Sequence, residues 1–307
     1  MQNGYRLNLA DGQSWDLVHH GCCREWLEKF ATILTLKSGS ESVSGSKLVI
    51  SKLDEPIREN NIHHPGAPLD IRRHGSNDHV RIDFSSLRIW LNRQCPDAEC
   101  EIIHEQDHKT RIINMWNSLL PLYLKTVERE GIPLHAALIE RDGAGVLLAA
   151  PGGTGKTTCC WRLPQPWMAM CDDEVLIVRG KDSFYYAHPF PTWSNHILNR
   201  SQRSWEVEKH VPLRAIFFLE QTKSDAVSAL GHGNAAVLIN QSATQVLGRA
   251  WDRMDRDVAY GSKSLAFQTA GNLAKEIPAY MLSVSKDGSF WENIDEILIN
   301  NKADISD

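Results

Sequence analysis

Gly145-Val146-Leu147-Leu148-Ala149-Ala150-Pro151-Gly152-Gly153-Thr154-Gly155-Lys156-Thr157-Thr158-Cys159-Cys160-Trp161 is the stretch that decides the fold. Gly145–Ala150 is a short apolar run of the kind that forms a buried strand. Thr157 onward continues as a helix, predicted over Lys156–Leu163. Between them, Pro151-Gly152-Gly153-Thr154-Gly155-Lys156-Thr157 fits the phosphate-loop pattern of Gly, four residues, then Gly-Lys-Ser/Thr, with Ala150 in place of the first glycine. Glycines let successive backbone N–H groups turn inward and form a nest for an anion. The helix that starts there adds partial positive charge. In this pattern Lys156 reaches the β- and γ-phosphates of ATP, the Thr157 hydroxyl ligates Mg²⁺, and Thr158 follows at the helix start.

Working outward, Trp167–Cys171 reads as a strand that ends in Asp172-Asp173. An acidic pair there suits a division of labour, with one carboxylate on Mg²⁺ and the other accepting a hydroxyl proton. An Asp-Asp pair taken alone is more often a solvated turn; its place after a strand, downstream of the loop, raises it to a site candidate. Upstream, Ile132–Ile139 is a strand carrying His135, followed by a hairpin turn at Asp142-Gly143. A lone histidine in an apolar strand is more often a hydrogen-bonded core residue, and its spacing from the loop is what marks His135.

Further along, Val175–Arg179 and Ser183–His188 read as a hairpin, Arg214–Glu220 and Ala279–Ser285 as strands, and Ala243–Trp251 and Phe290–Asn300 as helices. Before the loop, Tyr5–Leu17 reads as a hairpin, Arg24–Leu36 as a helix, and Lys47–Ser51, His79–Phe84, Leu87–Leu91 and Glu99–Ile103 as strands. Pro56–Asn77 is expected to be irregular. Lys109–Arg129 is an amphipathic helix interrupted by Pro121. These elements divide the chain into a β-rich region, residues 1–107, and an α/β phosphate-loop domain with a mixed sheet, residues 108–307; the first is expected to hold an acceptor if the second is catalytic.

With 33 basic and 38 acidic side chains, the chain lacks the basic surplus of a nucleic-acid binder. The loop spacing is not that of a dinucleotide fingerprint, which disfavours hydride transfer. No apolar run is long enough for a membrane span, and Met1–Arg6 has no signal-peptide core, so a cytoplasmic protein is expected. Seven cysteines, an odd number, argue against a disulfide framework. The ten tryptophans are expected to serve packing.

Leu134-His135-Ala136-Ala137-Leu138, Gly145–Leu148, Gly152–Thr157 and Ala169-Met170-Cys171-Asp172-Asp173-Glu174-Val175, in that order, resemble the catalytic domain of HPr kinase/phosphorylase. That domain belongs to the P-loop branch shared with ATP-dependent phosphoenolpyruvate carboxykinase. The likeness is nearest to the shorter HPr-kinase-like proteins of modified-peptide gene cassettes, the SynChlorMet cassette protein C type. The resemblance covers residues 130–180 best and implies a PEP-carboxykinase-like P-loop fold. It implies Lys156 on the phosphates, Thr157 and Asp172 at Mg²⁺, Asp173 as proton acceptor, and His135 beside the acidic pair. Arg200, Arg203, Arg249 and Arg253 are candidates for the family's later arginine, and His188-Pro189-Phe190-Pro191 stands where its Glu-, Arg- and Gly-rich signature would fall.

The activity so implied is transfer of the γ-phosphate of ATP to a Ser or Thr hydroxyl of a small peptide or protein, such as a ribosomal natural-product precursor. A small-metabolite kinase and a non-catalytic nucleotide-binding accessory protein are the alternatives. HPr kinases are oligomers, which leaves a homo-oligomer open.

Overall fold

A computed structural model describes residues 4–39, 45–53, 79–200 and 204–303; the Pro56–Asn77 stretch lies outside them. The chain is mixed α/β, built on two mixed sheets. The seven-stranded first sheet is ordered β3-β1-β2-β4-β7-β6-β5. Its strands are β1 (Gly4–Asn8), β2 (Ser14–His19), β3 (Ser38–Gly39), β4 (Ser46–Lys52), β5 (His79–Asp83), β6 (Leu87–Asn92) and β7 (Ala98–Ile102). Helix α1 (Arg24–Ile33) buries Trp26, Leu27, Phe30 and Ala31. Two helices, α2 (His108–Asn117) and α3 (Leu120–Val127), follow, and Pro121 sits in the first turn of the second, where its missing N–H costs nothing.

The eight-stranded second sheet contains β8 (Ile132–Arg141), β9 (Ala144–Ala149), β10 (Met168–Cys171), β11 (Glu174–Arg179), β12 (Tyr185–Phe190), β13 (Val211–Gln221), β14 (Ala226–Ala229) and β15 (Ala279–Val284). Between these lie α4 (Lys156–Arg162), α5 (Trp193–Ile197), α6 (His232–Trp251) and α7 (Arg256–Glu276), and α8 (Phe290–Ala303) follows β15. Strand β13 runs parallel to both β9 and β15. The β8–β9 turn puts Asp142 at φ 52° and Gly143 at φ 77°, the left-handed pair that an Asp-Gly hairpin favours.

Alternation along these strands feeds two cores. Leu134, Ala136 and Leu138 join Leu147, Ile216 and Phe218 beneath Ile239 and Ala243 of α6 and Ala270 and Leu273 of α7. Ala137 and Ile139 join Val146, Leu148 and Phe217 beneath Cys159 and Cys160 of α4 and Phe290 and Ile294 of α8. The second sheet is therefore a middle layer between two helical layers. A third core gathers β1, β2, β4 to β7, α1, α2 and α3, and also takes Leu176, Phe190, Trp193, Leu247 and Trp251, from the far side of residue 107.

Several elements exceed the sequence expectation, the short α5 and β14 among them. Helix α6 begins eleven residues before the expected Ala243, at His232, and α7 was not foreseen. Trp161 departs from the packing role expected of the tryptophans, being 75% exposed.

His188, on β12, fastens the first sheet to the second. Its Nε2 accepts the Ala10 N–H at 3.0 Å, and its Nδ1–H donates to the Val207 carbonyl at 2.8 Å. Burial lowers its pKa to about 4 from an ordinary 6.5. A lowered folded-state value means that stability is fully present above pH 6.5 and is lost as pH falls toward 4. The loss from this one group is about 3 kcal/mol. Urea titrations of His188→Gln across that window should show a pH dependence flatter by about that amount; an unchanged slope would remove His188 from the account.

Candidate active site

The strand register assembles the site. Ala136 of β8 lies opposite Ala149 of β9, so the glycine loop leaves β9 beside His135. On the same β8, Cys171 lies opposite Leu138 and Glu174 opposite His135. Asp172-Asp173 are the bend between those two paired segments, which brings Asp173 against His135.

The glycine loop does occupy a strand-to-helix junction. Gly153 and Gly155 have φ of 80° and 104°, values that a side chain resists. A Cβ added at Gly152 or Gly153 would meet no atom within 4 Å, so the loop presents bare backbone to open space. Ala150, at the first-glycine position, is not among the positive-φ residues, which is why alanine is tolerated there. Thr157 and Thr158 are exposed, and the Gln221 side chain donates to the Thr154 carbonyl at 3.1 Å.

Lys156 is buried, with its ammonium donating to the carbonyls of Ala150 at 2.7 Å and Pro151 at 3.3 Å. It also donates to His135 Nε2 at 2.9 Å. Because an ammonium cannot accept, Nε2 must hold the lone pair and the ring proton sits on Nδ1. His135 Nδ1 lies 3.2 Å from Asp173 Oδ1 and donates to it. His135 thus links the Asp173 carboxylate to the Lys156 ammonium. The Ser242 hydroxyl of α6 holds the His135 carbonyl at 3.1 Å. Burial lowers the Lys156 pKa, and the carboxylates of Asp173 and Asp172 oppose that shift. Asp172 is buried and fixed by the Thr192 hydroxyl, which itself receives the Trp205 indole N–H at 3.2 Å.

The sequence reading passed over Glu174. It is buried, and its carboxylate accepts from Trp116 Nε1 at 2.8 Å and the Tyr123 hydroxyl at 3.0 Å. Arg249 of α6 approaches it at 3.6 Å, and its guanidinium carbon lies over the Trp116 ring, 3.9 Å from its centre. Burial raises the Glu174 pKa, against Arg249, Trp116 and Tyr123, and lowers that of Arg249, against Glu174. The one local signal was an acid opening an otherwise apolar strand, Glu174-Val175-Leu176-Ile177-Val178, which demands a buried partner. Of the arginine candidates, Arg249 joins this cluster, Arg253 lies over Phe84 at 4.8 Å, Arg200 is exposed, and Arg203 lies outside the described residues. His188 is a tie between sheets and takes no part.

Removing one member of a buried pair leaves the other charged and unpaired. Arg249→Leu should therefore cost about 3 kcal/mol in urea unfolding. Adding Glu174→Gln in the same chain should recover most of that loss, because the carboxylate that needs the cation is gone. If the double variant is less stable than Arg249→Leu alone, the pair is not what Arg249 provides.

Among the described residues, no helix is long and apolar enough to cross a membrane. No curated protein matches the sequence. Residues 98–299 match the family model described as SynChlorMet cassette protein ScmC, a span that holds every site residue named above. With more than half of its length matched, the chain belongs to the SynChlorMet cassette protein ScmC family.

Proposed function

We propose that this chain is an ATP-dependent phosphotransferase that moves a γ-phosphate to a hydroxyl of a small peptide or protein. The observation that carries the reading is the continuous hydrogen-bonded line Asp173–His135–Lys156 ending at a bare glycine loop. The residues fit the two missing groups. The open backbone of Gly152 and Gly153 suits close approach of phosphate oxygens, which would take the place of the Ala150 and Pro151 carbonyls on Lys156. Among the described residues, no group of three or more His, Cys, Asp or Glu side chains is placed to hold a metal ion by itself. Mg²⁺ in phosphoryl-transfer sites suits that, since it takes one or two protein ligands and completes its shell with phosphates and water. Asp172 and Thr157 are the residues that would hold it, and the ion would neutralise charge on the phosphates.

The chain's own groups then have defined tasks. Asp173 accepts the proton of the acceptor hydroxyl as that oxygen bonds to the γ-phosphorus and the bond to the β-phosphate oxygen breaks. Lys156 meets the charge that gathers on the departing phosphate. His135, donating from Nδ1, orients the Asp173 carboxylate and leaves its other oxygen for the acceptor. Membership of a cassette-protein family fits a peptide-modifying role and so a peptide acceptor.

Calorimetry with MgATP and mass spectrometry of a reaction containing ATP, Mg²⁺ and peptides encoded nearby test this. Lys156→Ala should weaken MgATP binding by about 100-fold. Asp173→Asn should keep binding within about threefold and slow phosphate transfer by at least about 100-fold. Wild-type protein that binds no MgATP would end the proposal; tight binding with no transfer to peptide or to small hydroxyl compounds would make it a nucleotide-binding accessory protein instead.

A further inference from the structure

We infer that the Trp161 indole is the stacking platform for the base of the bound nucleotide, an inference that rests on the phosphate-loop reading above. Nine of the ten tryptophans are buried or half-buried, and Trp161 alone is exposed, at 75%. Fraying does not explain it. Its helix, α4, is anchored on both sides of this residue: Cys159 and Cys160 sit in the core, and Arg162 donates to the Ser285 and Gly288 carbonyls and lies over the Phe290 ring. The helix is therefore held in one rotation, and that rotation turns a large apolar ring to solvent.

The direction of the ring follows from helix geometry. At about 100° per residue, Trp161 falls between Thr157 and Thr158 on the helix wheel, roughly one turn further along. Helical side chains lean toward the N-terminus and cover the turn before their own Cα. The indole consequently overlies the same exposed face that carries the two threonines. The inference places the nucleoside on that side of the loop, with Lys156 on the β- and γ-phosphates. An aromatic face then meets a base without reading its edge, so the platform favours an aromatic nucleoside over bare polyphosphate and discriminates weakly between adenine and guanine.

Calorimetry on the full chain with Mg²⁺ and three probes, ATP, GTP and inorganic tripolyphosphate, tests this. Trp161→Ala should weaken ATP and GTP about tenfold and leave tripolyphosphate unchanged. Trp161→Phe should keep both nucleotides within about threefold. Equal wild-type affinity for ATP and tripolyphosphate, or unchanged ATP affinity in Trp161→Ala, would overturn the inference. So would a Trp161→Ala protein that sediments as a smaller species than wild type while binding ATP normally, since the ring would then pack against a second copy. Failure of the wild type to bind either ATP or tripolyphosphate would overturn the phosphate-loop reading itself, and this inference with it.

Discussion

The pairing register of β8 is the constraint from which the site follows. A strand has a side-chain period of two, so a slip of one residue against either neighbour would turn His135 to the opposite face. One neighbour fixes where the glycine loop departs and the other fixes where the acidic bend falls. The Asp142-Gly143 turn sets the first register, and the apolar run from Val175 to Val178 secures the second by its burial. Lys156, His135 and Asp173 come from three separate segments, yet none depends on a long flexible loop to reach the others.

Charge balance shapes the same region. Three consecutive acids, Asp172, Asp173 and Glu174, would repel one another in a low-dielectric setting. Each is given a distinct neighbour: a threonine hydroxyl for Asp172, an imidazole N–H for Asp173, and an indole, a phenol and a guanidinium for Glu174. The arrangement buries Asp172 and Glu174 among these partners and leaves Asp173 alone of the three half-exposed.

Much of this was legible in the residues, and the reasons are physical. The hairpin around Asp142-Gly143, the apolar strand before the glycine loop and the break at Pro121 are local signals, and the elements lie where those signals put them. Helix α7 was missed because its buried face is mostly Ala259, Ala266, Ala270 and Ala274, with Leu273 the one large aliphatic, and such a face gives little hydrophobic periodicity. The start of α6 was missed for the same reason, since Ala235 and Ala236 open its buried face. The place of His135 beside the acidic pair was anticipated from a resemblance; its hydrogen bond to Lys156 was not, and the cause of both, the β8 register, emerges only from the pairing. The partnership of Glu174 and Arg249 left only half a local trace, the acid that opens an apolar strand; which cation meets it is decided by how α6, far along the chain, packs.

The core shared across residue 107 has a mechanical consequence. Phe190, Trp193, Leu247 and Trp251 bury themselves among side chains of the first sheet and its helices. Separating the two sheets would expose that continuous apolar mass at once, so neither half can swing like a jaw on a hinge. An acceptor that engages the first sheet would therefore meet a pre-set surface, and its own flexible segment would have to supply the motion needed to reach Asp173.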